Sequence, residues 1–360
     1  MDFMNEEKRR STKAVKVGSI IIGGGSPIAV QSMANTDPRD VEATVAQIKQ
    51  LEKTGCELVR VAVPDMGAAS RLGEIKRRIG IPLVADIHYN HKLALKALEE
   101  GVDKLRLNPG NITKRAYIEE VVRAARDRGV PIRVGVNAGS LPEDILNRYG
   151  GPTPEGLVEA AVREIEILEK NNFEEIVVSL KASDVPLMVE AYRLFARERD
   201  YPLHLGVTEA GAGEAGIIKS AIGVGTLLLE GLGDTIRVSL TGDPTREVRV
   251  AYEILGALAL RRRGVEIVSC PTCGRTLIDL EKIVNEVKER LKEMESPIKI
   301  ALMGCAVNGL GEAGRADVGL VGSRGGGTLY IEGQMVKRVP EGRIVDELVE
   351  LVLHYDEARS

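Results

Sequence analysis

A chain of 360 residues, 44% of them hydrophobic, has enough apolar material for one large domain or for a large and a small one. Only 3% of the residues are aromatic and tryptophan is absent, so little supports a base-stacking surface, and a net charge of −4 argues against a general nucleic-acid binder. No run of about 18 apolar residues offers a membrane span, the segment Met1–Arg10 lacks the apolar core of a signal peptide, and few cysteines, clustered at metal spacing, fit a reducing cytoplasm.

At the amino end, Val15–Ile22 and Ile28–Met33 flank Gly23-Gly24-Gly25. No helix follows the glycines directly and no Lys-Ser/Thr closes them, so the pattern predicts a hairpin rather than a phosphate loop. Short apolar runs then predict eight strands, at Ala29–Met33, Leu58–Val63, Leu83–Ile87, Lys104–Leu107, Ile132–Val136, Ile176–Leu180, Leu203–Val207 and Thr235–Leu240. Amphipathic patterns between and after them predict helices, among them Val41–Thr54, Ile118–Arg128, Pro154–Lys170, Val185–Arg197, Gly213–Leu229 and Arg246–Arg262. Eight strand–helix units in roughly 235 residues match the size and rhythm of a (β/α)8 TIM barrel. An open doubly wound sheet would usually carry Gly-x-Gly-x-x-Gly after its first strand, and none stands there. The basic run Arg261-Arg262-Arg263 is expected to top the C-terminus of the last helix, where cations suit the dipole.

Side chains two apart on a strand face the same way, and polar groups recur at the predicted carboxyl ends. Arg60 ends the second strand, Asp86 and His88 the third, and Arg106 and Asn108 the fourth. Arg133 and Asn137 share a face of the fifth, Ser179 and Lys181 of the sixth, and Arg237 and Ser239 of the eighth, while Glu209 follows the seventh. In a barrel these ends meet at one mouth. Any one of the cations reads as an ion pair on a strand rim, but five converging cations repel one another unless an anion neutralises them. Arginine forks suit phosphate oxygens, and diphosphate is the natural candidate. His88 either hydrogen-bonds a substrate or satisfies the rim. His91 opens the next helix as a solvated residue, and Cys56, at the amino end of the second strand, reads as a small buried hydrophobe.

After Arg263-Gly264 the rhythm changes, which puts a domain boundary between 1–263 and 264–360. Val265–Ser269 is a strand leading into Cys270-Pro271-Thr272-Cys273. Thr276–Glu295 is an amphipathic helix whose positive end would stabilise nearby thiolates. Ile298–Met303 delivers Cys305, Asp317–Gly322 and Thr328–Glu332 form a hairpin, and Ile344–His354 closes a small α+β domain. Three thiols fall short of a four-cysteine zinc site, and no histidine lies between Cys270 and Glu312 to complete it. An iron–sulfur cluster held by three cysteines and one other ligand remains. Glu312, the acidic residue of the loop after Cys305, is either that ligand or a first-turn acid favoured by a helix dipole.

The motifs Cys270-Pro-Thr-Cys273-Gly-Arg-Thr and Gly304-Cys305-Ala-Val-Asn-Gly-Leu-Gly-Glu312-Ala resemble the cluster motifs of the 4-hydroxy-3-methylbut-2-en-1-yl diphosphate synthases, and the resemblance runs through nearly the whole chain. It implies a TIM barrel followed by a cluster domain, with a [4Fe–4S] cluster on Cys270, Cys273, Cys305 and Glu312. It also implies a substrate, 2-C-methyl-D-erythritol 2,4-cyclodiphosphate, reductively opened and dehydroxylated in the penultimate step of the methylerythritol phosphate route to isoprenoids. Family diphosphate-binding positions fall on Arg60, Arg106, Arg133, Asn137, Lys181, Arg237 and Ser239, and a proton-delivering carboxylate falls on Glu209. The extra domain of plant and some bacterial members has no counterpart here.

The chain shows no flavin or nicotinamide fingerprint, so electrons must come from a partner, which the resemblance identifies as flavodoxin or ferredoxin. The short Arg263-Gly264 linker leaves the barrel at the face opposite its mouth, and the resemblance implies a head-to-tail homodimer. Two rival readings are a phosphosugar barrel with a structural zinc domain, and a phospholigand-binding barrel with a metal-stabilised adaptor that turns nothing over.

Overall fold

The computed structural model describes residues 9–108, 112 and 114–359. The segment read as lacking a signal-peptide core lies, up to residue 8, outside the described residues. The chain divides into two compact units, Met1–Arg261 and Arg262–Ser360.

The first unit opens with an antiparallel hairpin of β1 (Val15–Val17) and β2 (Ile20–Ile22), turned at Gly18 with φ +55°. The expected partner of this segment, Ile28–Met33, is instead the first strand of the barrel. Gly23, Gly24 and Gly25 all hold positive φ and carry the chain from one element to the other. A Cβ on Gly23 would sit 2.3 Å from Lys13 O, so the turn is a close backbone packing that only glycine allows.

Eight parallel strands follow: β3 (Ala29–Met33), β4 (Leu58–Ala62), β5 (Leu83–Asp86), β6 (Lys104–Leu107), β7 (Ile132–Asn137), β8 (Ile176–Lys181), β9 (His204–Leu205) and β10 (Thr235–Ile236). They pair in the order β8-β7-β6-β5-β4-β3-β10-β9, and a parallel bridge between Val178 and Leu203 joins β8 to β9. This is the expected TIM barrel. The last two strands are shorter than their apolar runs. Their ladder stops at Gly206, where a Cβ would lie 2.4 Å from Arg237 O and 2.8 Å from Lys181 Nζ.

The surrounding helices form for local reasons. Val41–Thr54 starts at Asp40, whose side chain accepts from Ala43 N, and ends at Gly55 in the left-handed conformation. Its Val45, Ile48 and Leu51 are buried against the barrel, each side chain contributing about 1.5–3 kcal/mol. The last barrel helix, Pro244–Ala257, ends well short of Arg261. The three arginines therefore cap no helix. Arg261 donates to Ile28 O at 2.6 Å and pairs with Glu57, Arg262 pairs with Glu266, and Arg263 with Glu295. At the amino end of the barrel, Val15, Val17 and Ile22 of the hairpin pack on Ala29, Leu58, Val84 and Val177 and plug the bottom.

The second unit is a five-stranded sheet. In it β11 (Val265–Ser269), β12 (Ile298–Met303) and β13 (Val318–Ser323) run parallel, and β14 (Gly326–Ile331) and β15 (Gln334–Pro340) are antiparallel. Helices Leu280–Arg290 and Ile344–Glu357 bury their apolar stripes on one face. A helix at Ala306–Ala313 packs close to β12 and β13, where a Cβ on Gly309 would meet Val321 at 2.7 Å. Three expectations need correcting. The segment after Cys305 is this helix, not a glycine-rich loop. The helix after the cysteine pair begins only at Leu280, capped by Asp279, so its positive end is not at Cys273. The hairpin is extended by β15, whose largely exposed residues carry no core stripe.

Candidate active site

At the carboxyl ends of the barrel strands, alternation points Arg60, Asp86, Arg106, Arg133, Lys181 and Arg237 inward together. Arg106 and Arg133 are directly paired across β6 and β7, and Asn137 is paired with Lys181 across β7 and β8. Asp86 stands between two guanidiniums, 3.3 Å from Arg106 Nη1 and 3.7 Å from Arg60 Nε. Arg60 also donates to Met33 Sδ at 3.0 Å. Arg106 donates to Gly135 O at 3.0 Å and lies flat across β7, possible only because Gly135 has no side chain: a Cβ there would be 2.7 Å from Arg106 Nε. Gly206 makes the same room for the Lys181 ammonium. Arg133 is 1% exposed; its Nη1 donates to Ser179 Oγ at 3.1 Å, while Nε and Nη2 have no partner among the described residues.

Two groups that sequence reasoning passed over complete the electrostatics. Glu247, buried at the start of the last barrel helix, faces Arg237 at 3.3 Å and accepts from Ser32 Oγ and Leu240 N. Lys104, fully buried on β6, adds a sixth basic side chain to the interior. Among the described residues, six basic side chains thus share the interior with two carboxylates, Asp86 and Glu247. Burial, reinforced by neighbouring cations, pushes Arg60 down to about 10, and Arg133 and Lys181 well below their ordinary range. Burial alone would raise Asp86, but Arg60, Arg106 and Arg133 outweigh it and hold the carboxyl below its usual value. A guanidinium stays charged in a protein, so this interior is built to receive negative charge.

The other mouth residues are less tightly held. His88 takes a hydrogen bond from Arg106 Nη1 at 2.8 Å on Nε2, with Asp86 3.6 Å away. Burial and the Arg106 charge lower its pKa, so the ring is a neutral acceptor. His91 opens the helix His91–Glu99 but is half-buried and stacked on Tyr117 at 3.7 Å rather than solvated. Glu209 is exposed after β9 with φ +45°, a left-handed conformation that a glutamate adopts at a cost. The structure does not bring its carboxylate against the arginines; among the described residues it has no ion pair. Ser239 follows β10, two residues past Arg237, and is half-buried. Cys56 is buried, donates to Leu58 O at 3.2 Å and has its thiol pushed up to about 12 by burial.

In the second unit β11 and β12 run parallel, so Cys270 and Cys305 emerge at the same end of the sheet. Gly304 N donates to Cys270 Sγ at 3.3 Å, Cys273 N to Thr276 Oγ1, and Leu277 N to Gly304 O. A Cβ on Gly304 would strike Thr276 at 2.7 Å, and one on Gly322 would strike Gly304 O at 2.6 Å. The loops are therefore packed backbone against backbone around the thiols. Cys305 stands at the N-cap position of Ala306–Ala313, at the positive end of that helix, without a side-chain capping hydrogen bond. Glu312 lies in the last turn of that helix, where the dipole opposes an acid, so the first-turn explanation for it fails. It stands seven residues beyond Cys305, on the same helix face, and helical side chains lean back toward the amino end. All four cysteines are free, and among the described residues no three His, Cys, Asp or Glu side chains converge as a single zinc ion would need.

The family model described as the GcpE TIM-barrel domain matches residues 12–252, and that of the GcpE protein C-terminal domain matches 266–354. The chain belongs to the GcpE family. Among curated GcpE relatives, the 4-hydroxy-3-methylbut-2-en-1-yl diphosphate synthase (flavodoxin) of Thermodesulfovibrio yellowstonii is 57% identical over 95% of this chain and 98% of its own length. The protein of the same name from Clostridium perfringens is 53% identical over 96% of this chain and 99% of its own. Among solved structures, the dihydropteroate synthase of Stenotrophomonas maltophilia superposes with a TM-score of 0.51 at 15% identity, covering 69% of this chain and 98% of that one, a likeness of fold alone. Among the described residues, no helix is long and apolar enough to cross a membrane.

Proposed function

We infer that this chain is an oxidoreductase that opens the ring of 2-C-methyl-D-erythritol 2,4-cyclodiphosphate and removes one hydroxyl, giving 4-hydroxy-3-methylbut-2-en-1-yl diphosphate. Two electrons enter and one oxygen leaves as water. The observation that carries this reading is the barrel mouth, where Arg60, Arg106, Arg133, Lys181 and Arg237 face inward with only Asp86 and Glu247 to balance them, in a chain that shares more than half its residues with synthases of that name. Asn137, beside Lys181, and Ser239, beyond Arg237, complete the diphosphate contacts. The guanidiniums fix the diphosphate by paired hydrogen bonds. They also stabilise the charge that collects on it as the ring carbon–oxygen bond breaks. His88, neutral and half-exposed beside Arg106, orients the substrate hydroxyls, and Glu209, on the open loop after β9, delivers the proton that turns the departing hydroxyl into water.

The donor set of the second unit suits a [4Fe–4S] cluster better than a single ion: three free thiols at one end of the sheet, and one carboxylate on the helix that follows Cys305. Cys270, Cys273, Cys305 and Glu312 would hold it, and a cluster there supplies electrons one at a time. Among those ligands the carboxylate would be the weakest for iron, so Glu312 would be the one to give up its place most readily. The donor is a reduced flavodoxin, the one printed in the relatives' names, or a ferredoxin; free thiols suit the cytoplasm. Arg261, bonded to Ile28 O and Glu57 at the amino ends of β3 and β4, marks where the chain leaves the barrel. The mouth is at the opposite ends of the strands, which supports a head-to-tail homodimer whose thiols serve each other's mouths.

The test is anaerobic purification with iron, sulfide and zinc analysis, followed by turnover of the cyclodiphosphate with reduced flavodoxin. Four irons and four sulfides per chain and formation of the linear diphosphate are expected. One zinc per chain and no turnover with any reductant would sink the reading.

A further inference from the structure

Beneath the guanidiniums the barrel interior holds a second polar layer that the diphosphate reading does not use. Lys104 on β6, His204 on β9, Gln31 on β3 and Thr235 on β10 are all within 1% of full burial. Lys104 Nζ, both His204 ring nitrogens, both ends of the Gln31 amide and Thr235 Oγ1 lack a hydrogen-bond partner among the described residues. Branched aliphatics usually fill such positions in a barrel, and a buried polar group left without a partner is destabilising. Lys104 lies two residues before Arg106 on the same face of β6 and is paired with Val84 of β5.

The charges around this layer are of one sign. Lys104 is faced by Arg60 from β4 and Arg133 from β7, and His204 by Arg133, Lys181, Arg60 and Lys104 itself. Burial first, and these cations second, drive both bases well below their ordinary range. The carboxylates on neighbouring elements are already engaged: Asp86 of β5 with Arg60 and Arg106, Glu247 with Arg237. Burial and the surrounding cations therefore favour the neutral forms of Lys104 and His204 until negative charge enters the barrel.

We propose that Lys104 and His204 are proton-accepting positioning residues, so that a diphosphate bound at the mouth draws a proton from solvent onto this layer and is held in turn by the charge created beneath Arg133. The proposal rests on the mouth being the diphosphate site. A cyclic diphosphate makes the effect measurable. Each of its phosphates carries one ester and one anhydride bond, leaving a single strongly acidic hydroxyl that is already ionised at neutral pH. Any proton taken up on binding is therefore taken by the protein.

The full-length, cluster-loaded protein, without reductant, should be titrated calorimetrically with 2-C-methyl-D-erythritol 2,4-cyclodiphosphate in buffers of different ionisation enthalpy at pH 7. Net uptake of a proton is expected. Lys104→Met should lose at least half of it, and His88→Gln, a control for the half-exposed ring at the mouth, should retain most of it. Across the window where a full proton is taken up, wild-type affinity should fall by up to about tenfold per pH unit as pH rises, and Lys104→Met should flatten that slope. Binding without proton uptake, or equal uptake in wild type and Lys104→Met, overturns the proposal and leaves the diphosphate site standing. Absence of binding overturns both. Should Lys104→Met fail to fold, a wild-type affinity flat from pH 6 to 9 overturns the proposal by itself.

Discussion

The Glu247–Arg237 pair offers the sharpest test of how the mouth is held open for an anion. Glu247→Gln keeps the shape of the side chain and one acceptor oxygen but removes the charge. Glu247 is 3% exposed, its oxygens lie 3.3 Å from Arg237 Nε and Nη2, and they also accept from Ser32 Oγ at 3.0 Å and Leu240 N at 3.0 Å. At that separation and an effective dielectric of about 20 the attraction is on the order of 5 kcal/mol. Removing one partner of such a buried pair costs about 3–5 kcal/mol, because the other charge is left without compensation. At roughly 2–4 °C per kcal/mol for a unit of this size, the barrel should melt about 6–20 °C lower, followed by circular dichroism. At one fixed concentration the cyclodiphosphate should then restore the variant more than the wild type, because the freed Arg237 gains a new counter-charge and binds it more tightly; at about 100 times the wild-type Kd the wild type itself gains ~2.7 kcal/mol. A melting point within about 2 °C of wild type would refute the pair as the holder of Arg237. An equal ligand-induced rise in both proteins would refute contact between Arg237 and the anion.

Three further outcomes follow from the geometry. Arg133→Met or Lys181→Met should weaken cyclodiphosphate binding at least about tenfold, the loss of one charged hydrogen bond of roughly 1.5–3 kcal/mol, without bleaching the protein; calorimetry and the visible spectrum read the two separately. Iodoacetamide on the unfolded-control and native apo chains at pH 7.5 should label Cys270, Cys273 and Cys305 in both but Cys56 only when unfolded, since burial and a thiol pushed up to about 12 leave Cys56 without thiolate; native labelling at Cys56 by mass spectrometry would contradict its placement. Replacing any one of Cys270, Cys273 or Cys305 should lose the cluster, whereas Glu312→Gln should leave it oxygen-labile, drifting toward a three-iron form, and Glu312→Cys should keep colour and lose turnover. An oxygen-stable, fully active Glu312→Gln would place the fourth ligand elsewhere.

The barrel was legible because strand and helix periods alternate cleanly, and because Arg60, Arg106, Arg133, Lys181 and Arg237 stand out as charges within apolar runs. What balances them was not. Glu247 sits on a helix where an acid in the first turn is unremarkable, and its burial against Arg237 is a tertiary fact. Lys104 opens an apolar strand and reads as its polar edge, yet the stagger of the barrel carries it inside. Gly135 and Gly206 were the available signal: a glycine inside a strand marks a close approach, and here what approaches is a cation. The helix Ala306–Ala313 was hidden by Gly309 and Gly311, each disfavoured in a helix by about 1 kcal/mol. Packing explains one of them, since Gly309 is pressed against Val321 and has no room for a side chain.

The hairpin that plugs the amino end of the barrel turns the chamber into a blind alley. Among the described residues, the opening above the arginines is the way left for reactant, departing water and product. A protein organised this way is vulnerable to its own product. A linear diphosphate lingering in that opening would block the entrance as effectively as any inhibitor, and diphosphate mimics too bulky to pass should stall the enzyme at the threshold without reaching its interior.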